Sequence, residues 1–302
     1  MHQIFAQHLH RNVILGGRYH STRRSLLHFD HYTAAALPAP PASCDYSKPA
    51  LPILRDVMGN DQLGCCVIAA GYHGEGIVTA NAGTGYHATL AQIIADYHAI
   101  GGYVPGNPST DQGSDPSIAI QYWTTHGFAN GTKLLGSLNV DCTNKTQVMQ
   151  AIYLGEKLFI GLDLPDKWVN SMPNADGFIW DVASPNPNNG HMIKAYGYNA
   201  TGVLIDTWGL LGTLTWKALA LLGAPSAGGE VHLLITPDII AKGQTKAPNG
   251  FDWTTLVSDF DAMGGNIPIP APVTPPAPTP TPAAKTLTLA QVQALLTANW
   301  PK

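Results

Sequence analysis

The chain has 302 residues, of which 45% are apolar and only 12% charged, with a formal net charge of −4. That balance gives no general reason to expect a nucleic-acid partner, and no apolar run reaches the roughly 18–20 residues of a membrane span. Charge is about half the usual share. Such a surface suits cover by other subunits, though 31 Gly and 24 Pro also dilute the charges.

Residues 1–43 read as a basic, His-rich arm and a proline connector. The arm carries Arg11, Arg18, Arg23 and Arg24, and six of the 12 histidines lie in it: His2, His8, His10, His20, His28 and His31. His8 and His10 are too few ligands at too loose a spacing for a metal site, so no metal or other cofactor is expected. The arm is expected to lie on an acidic neighbouring subunit. Pro38, Pro40 and Pro41 then enforce extended chain. Met1-His2-Gln3 opens no signal peptide. Cys44, Cys65, Cys66 and Cys142 form no C-x-x-C pair, so they are read as reduced thiols of a protein made in the cytoplasm. The sequons at Asn130, Asn144 and Asn199 are read as chance occurrences in turns.

The stretch Gly59-Asn60-Asp61-Gln62-Leu63-Gly64-Cys65-Cys66 is a polar turn running into two thiols, and helix-like spacing continues to about Ala82. A cysteine in the first helical turn meets unpaired N–H groups and the positive end of the dipole, which favour thiolate. A buried structural thiol is the plainer alternative. Cys66, Ala70, His73 and Ile77 share a face, but seven helical residues span about 10 Å, so His73 reads as a packed core histidine. Gly71, Gly74 and Gly76 imply that another element comes close. Further helices are expected over 90–100, over 118–126 behind an Asp/Pro start, and over 146–154. Strands are expected over 134–140 and 157–164.

The segment from Asn189 to Tyr198 reads as a turn, then His191 opening a strand that ends at Gly197; after a second turn Val203 to Asp206 reads as the next strand, closed by Thr207-Trp208-Gly209. Cysteine on a helix, histidine on a strand and an acid two before a tryptophan supply nucleophile, base and orienter. This order and context resemble the papain-like cysteine peptidases. The resemblance covers about residues 38–263 and implies an α+β fold, with a helical first half and an antiparallel β second half. It implies Cys66 as nucleophile, His191 as base and Asp206 as the group orienting the imidazole, where the family has asparagine. Trp208 would shield that pair. The family's oxyanion glutamine falls at Asn60, a shorter amide, with Gln62 as the alternative donor. Cys65 is an added thiol beside the nucleophile. No separate inhibitory propeptide of the usual length is read. The pattern Asn60-Asp61-x-x-Gly64-x-Cys66 is similar to bacterial and phage-borne proteins of this fold.

Strands over 212–216 and 230–236 complete the domain, residues 44–265. Residues 268–282 then hold eight prolines, within a Pro-rich linker over 266–285. Residues 286–302 read as an amphipathic helix behind a capping box at Thr288. Alone it is too short to be stable, so it needs a partner surface. Two functions remain open. One is a peptidase- or amidase-type hydrolase acting on a peptide-like substrate. The other is a non-catalytic structural protein, such as a phage virion component, that keeps the fold. In either case other subunits would be met through the arm and residues 266–302.

Overall fold

The computed structural model describes residues 1–23, 27–33, 37, 39–246 and 251–262. The linker and C-terminal helix expected over 266–302 lie outside them. The described residues all fall in one unit, Met1–Pro272. In chain order it comprises β1 (His2–Ala6), β2 (Arg11–Leu15), β3 (Cys44–Asp45), α1 (Ser47–Leu54), α2 (Cys66–Asn81), α3 (Leu90–Gly101) and α4 (Pro116–Thr125). There follow β4 (Gly136–Asn139), α5 (Lys145–Gly155), β5 (Leu158–Asp163), α6 (Asp166–Val169), β6 (Phe178–Trp180), β7 (Gly190–Tyr198), β8 (Gly202–Thr207) and β9 (Leu210–Thr215). The last are α7 (Trp216–Leu222), β10 (Glu230–Ile235), α8 (Pro237–Lys246) and α9 (Trp253–Ala262).

The class is α+β, with helices gathered in the first half and strands in the second, as the sequence implied. The large sheet runs β4-β10-β5-β7-β8-β9-β6, with β3 on β7. Its pairs are antiparallel except β6 on β9, which is parallel. Asp115 caps α4 by accepting from the Ser117 N–H, with Pro116 opening the helix. Thr89 and Gln92 form a reciprocal capping box on α3.

Helix α2 is the pivot. Every residue from Cys66 to Ala80 is buried. A helix buried on every side needs no polar face, and its few polar side chains, His73, Glu75 and Thr79, are buried with it. Its glycines admit other groups closely. A Cβ at Gly74 would lie 2.7 Å from Lys194 Nζ on β7, and one at Gly76 would lie 2.6 Å from an Ile53 methyl on α1. One apolar cluster joins α1–α4; the other joins the sheet to α5, α7, α8 and α9. The Cys66 end of α2 lies where the two meet β7.

The arm, expected to lie on an acidic neighbouring subunit, is built into this domain. β1 and β2 form a hairpin, and Ala6, Val13 and Leu15 are fully buried. Its acidic neighbour is this chain itself: Arg11 pairs with Asp61, and Arg18 with Asp163 and Glu230. Helix α1 was also not among the expected elements, and it carries Pro49 and Pro52. Pro49 lies in the first turn, where its missing N–H costs nothing.

Candidate active site

Cys66 is the first residue of α2 and is 1% exposed. Burial pushes its thiol up to about 11, while N–H groups of Met192, Val67 and Cys66 itself and the Arg18 charge pull the other way. Cys65 is fully buried, with its sulfur 3.7 Å from the Met58 carbonyl oxygen. Burial pushes its thiol well above the ordinary range, and the neighbouring Cys66 adds to this. Of the adjacent thiols, Cys66 lines the small cavity that holds the site and Cys65 does not.

His191 lines the same cavity and is 1% exposed. The Trp208 indole stacks on its ring at 4.1 Å between centroids and 13° between planes. Trp208 has φ of 47°, a left-handed conformation strained for a bulky residue, and Gly209 continues the turn at φ 78°. That turn brings the indole over the histidine, so the shielding position expected of Trp208 is present. His191 Nε2 is 2.9 Å from Thr207 Oγ1, and Nδ1 has no hydrogen-bond partner among the described residues. The thiol and the imidazole therefore share a cavity without a hydrogen bond between them. Burial, and then the Arg18 charge, lower His191 to about 3, so it is neutral here.

The expected Asp206–His191 pair is not formed. Asp206 Oδ2 lies 2.9 Å from His73 Nδ1, and His73 Nε2 lies 2.8 Å from the Asp56 carbonyl oxygen. Strand register gives the reason. Lys194 of β7 is opposite Asp206 of β8, so those two share a face. His191 lies three residues before Lys194, an odd step, and so shares the other face with Thr207. Alternation thus assigns the contact to Thr207, a signal the sequence already held. Burial opposes charge on His73, but Asp206 and the Asp56 carbonyl outweigh it and raise the group. His73 is then an imidazolium donating from both nitrogens. It is a core histidine, as read, but an ionised one.

Of the two amides proposed for the oxyanion, Asn60 is buried and lines the cavity with Cys66. Gln62 is exposed and turns to Asp61, so it is not a donor to this site. Lys194 was missed altogether. It is fully buried, lines the cavity, and its Nζ lies 4.5 Å above the Phe159 ring centroid with no hydrogen-bond partner among the described residues. Burial, then Lys157, hold its amine well below the ordinary range despite Asp206. No cluster of three or more metal-ligating side chains occurs among the described residues.

The arm closes the site. On one side Arg11 pairs with Asp61 and the Met1 side chain meets Gly64. On the other His8 Nε2 lies 2.9 Å from the Trp208 carbonyl oxygen, and Asn174 donates to Gln7 at 3.2 Å. Between them Gly17 passes so close that a Cβ there would lie 2.5 Å from the Gly64 carbonyl oxygen. The Arg18 N–H donates to the Gly190 carbonyl at 3.3 Å, one residue before His191. The sequence showed no covering segment; this short arm is one.

This fold is papain-like. Xylellain, a cysteine protease from Xylella fastidiosa, aligns with TM-score 0.52 at 12% identity, covering 74% of this chain and 96% of that one. A digestive procathepsin L 3 from the Tenebrio molitor larval midgut aligns with TM-score 0.50 at 12% identity, covering 72% of this chain and 76% of that one. At such identity the likeness is one of fold. No protein-family model and no curated protein matches the chain.

Proposed function

We propose that the chain is a cysteine hydrolase of peptidase or amidase type whose site is closed by its own arm. The observation that carries this reading is Cys66 at the start of the buried central helix, in one cavity with Asn60, His191 and Trp208. The sulfur would attack a carbonyl, and the Cys66 N–H and the Asn60 amide would face the oxyanion. His191 would return a proton to the leaving amine, with Thr207 holding its far nitrogen. Closure accounts for the quiescent protonation. Burial raises the thiol further than the Arg18 charge lowers it, and burial and the Arg18 charge both lower the imidazole. Opening would let water in, which relieves the burial acting on both groups, and would free the imidazole of the Arg18 charge; these changes outweigh the loss of that charge at the thiol and favour a thiolate–imidazolium pair.

Gly17→Val tests the reading, because the added side chain meets the Gly64 carbonyl and must lift the arm. Against a pool of fluorogenic peptide amides, the opened chain is expected to turn over. Cys66→Ala should abolish this turnover and Cys65→Ala should retain it. A folded, opened chain without turnover supports the second reading, a structural protein that keeps the fold. The specific observation behind that reading is Asp206 committed to His73 instead of His191. Residues 266–302 belong to this proposal as an attachment tail to a larger assembly such as a virion. A chain ending at Gly265 should keep its melting temperature and lose co-purifying partners.

A further inference from the structure

Gly17, Arg18 and Tyr19 cross the cleft as a segment held by backbone hydrogen bonds, with an isolated parallel bridge between Arg18 and Ser114. Ser114 N–H donates to the Gly17 carbonyl at 2.9 Å, and Tyr19 N–H donates to the Ser114 carbonyl at 3.0 Å. On the other wall Arg18 N–H donates to Gly190. Backbone pairing of this kind accepts any residue that can extend, so the Arg18 side chain reports what the adjoining pocket prefers.

That side chain has no solvent exposure. Its guanidinium donates to Asp163 Oδ1 at 2.8 Å, to Glu230 Oε1 at 2.7 Å and to the Gly228 carbonyl at 2.7 Å. Three acceptors from two strand ends and a turn thus converge on one planar cation. A second layer orients them: His20 Nε2 lies 2.9 Å from Asp163 Oδ2, His232 Nε2 lies 2.9 Å from Glu230 Oε2, and Ser21 donates to Glu230. The floor at Gly161 has room for nothing larger, since a Cβ there would lie 2.7 Å from Arg18 Nη1. His20, Gly228 and Glu230 also line a cavity of about 660 Å³.

We propose that Asp163 and Glu230 form a recognition pocket for the guanidinium of an arginine in a bound peptide, and that Arg18 is its built-in occupant. This rests on the hydrolase reading for its substrate class, a peptide lying extended between Ser114 and Gly190 with arginine in this pocket. The selectivity is physical. An uncharged side chain there would leave the two carboxylates only their His20, His232 and Ser21 contacts, a penalty that a guanidinium removes. Sites built to pair a buried polar group reject analogues lacking the partner far more strongly than apolar pockets reject a missing methylene.

The test uses the full chain carrying Gly17→Val and Arg18→Ala, so that neither the backbone fit nor the cation holds the arm. A labelled peptide of the sequence of residues 15–20 is titrated by fluorescence anisotropy, beside the same peptide with citrulline for arginine. The arginine peptide should bind at least about tenfold more tightly. Adding Glu230→Gln or Asp163→Asn should shrink the ratio to near one. If circular dichroism shows the double variant unfolded, Gly17→Val alone serves, because residual competition from the arm affects both peptides equally. Equal binding of the two peptides, or no binding to a folded variant, overturns the proposal and leaves Arg18 a structural staple. Binding does not need a competent Cys66. Arginine preference without turnover sinks only the hydrolase reading, and turnover without preference sinks only the pocket.

Discussion

Two histidines border one cavity with opposite protonation. His73 and His191 are both almost wholly buried, and burial alone lowers both. His73 meets the Asp206 carboxylate and is raised above 6.5, whereas His191 meets a hydroxyl and the Arg18 charge and falls to about 3. One carboxylate contact reverses the sign of the shift. The strand pleat decides which histidine receives it, because Asp206 and Thr207 point to opposite faces of β8. The comparison teaches that a nucleophile–base–orienter spacing in sequence is not yet a triad. Side-chain parity must also agree.

The largest effect should come from removing that carboxylate. Asp206→Ala leaves a buried imidazolium unpaired, and should cost about 3–5 kcal/mol in urea unfolding. A loss below about 1 kcal/mol would mean that His73 is neutral in the native protein.

Acid should separate the two histidines next. His191 has a folded value near 3 against 6.5. Its unfolded form therefore binds the extra proton, and stability falls as pH drops from 6.5 toward 3, approaching about 1.4 kcal/mol per pH unit. His191→Gln should flatten the part of this slope between pH 6.5 and 4.5. Glu230 acts only lower. Burial raises it, but its partners, led by His232, hold it at about 2 against 4.5. His73 is raised, so its contribution is fully present below 6.5 and is lost as pH rises through its folded value. His73→Gln should therefore lose stability mainly at acid pH. Equal slopes in both variants would erase the distinction.

The smallest effect should be that of Thr207→Val, which removes one neutral hydrogen bond worth about 1 kcal/mol and leaves His191 without a partner at either nitrogen. A cost matching that of Asp206→Ala would place the orienting charge at His191 after all.

Much of this was legible beforehand, and the misses share causes. The Cys66 helix, the His191 strand and the helical-then-β order follow from local periodicity and from glycine and proline punctuation. Asn60, picked by spacing, lines the cavity with Cys66. The Asp206 contact was missed because motif spacing was used where alternation between paired strands should have been counted. Gln62 was retained because nothing local tells which of two nearby amides turns inward. The arm's contacts within the chain were not foreseen because they lie far off in sequence: Arg11 meets Asp61, and Arg18 meets Asp163 and Glu230. Basic charge could be seen, but its destination could not. Lys194 sits in an otherwise apolar strand, and that oddity alone was the available signal.

The central claim, that the arm holds Cys66 as an inert thiol, is met most directly by its alkylation rate as a function of pH. Iodoacetamide labelling, resolved by site with mass spectrometry, would compare the native chain with Gly17→Val. Native Cys66 should label slowly and its rate should still be climbing at about pH 9–10, as a thiol pushed up to about 11 requires. In Gly17→Val, Cys66 should label at least about tenfold faster near neutral pH and level off earlier, with Cys65 slow in both. Superimposable profiles for Cys66 in the two chains, with Gly17→Val folded, would contradict the account.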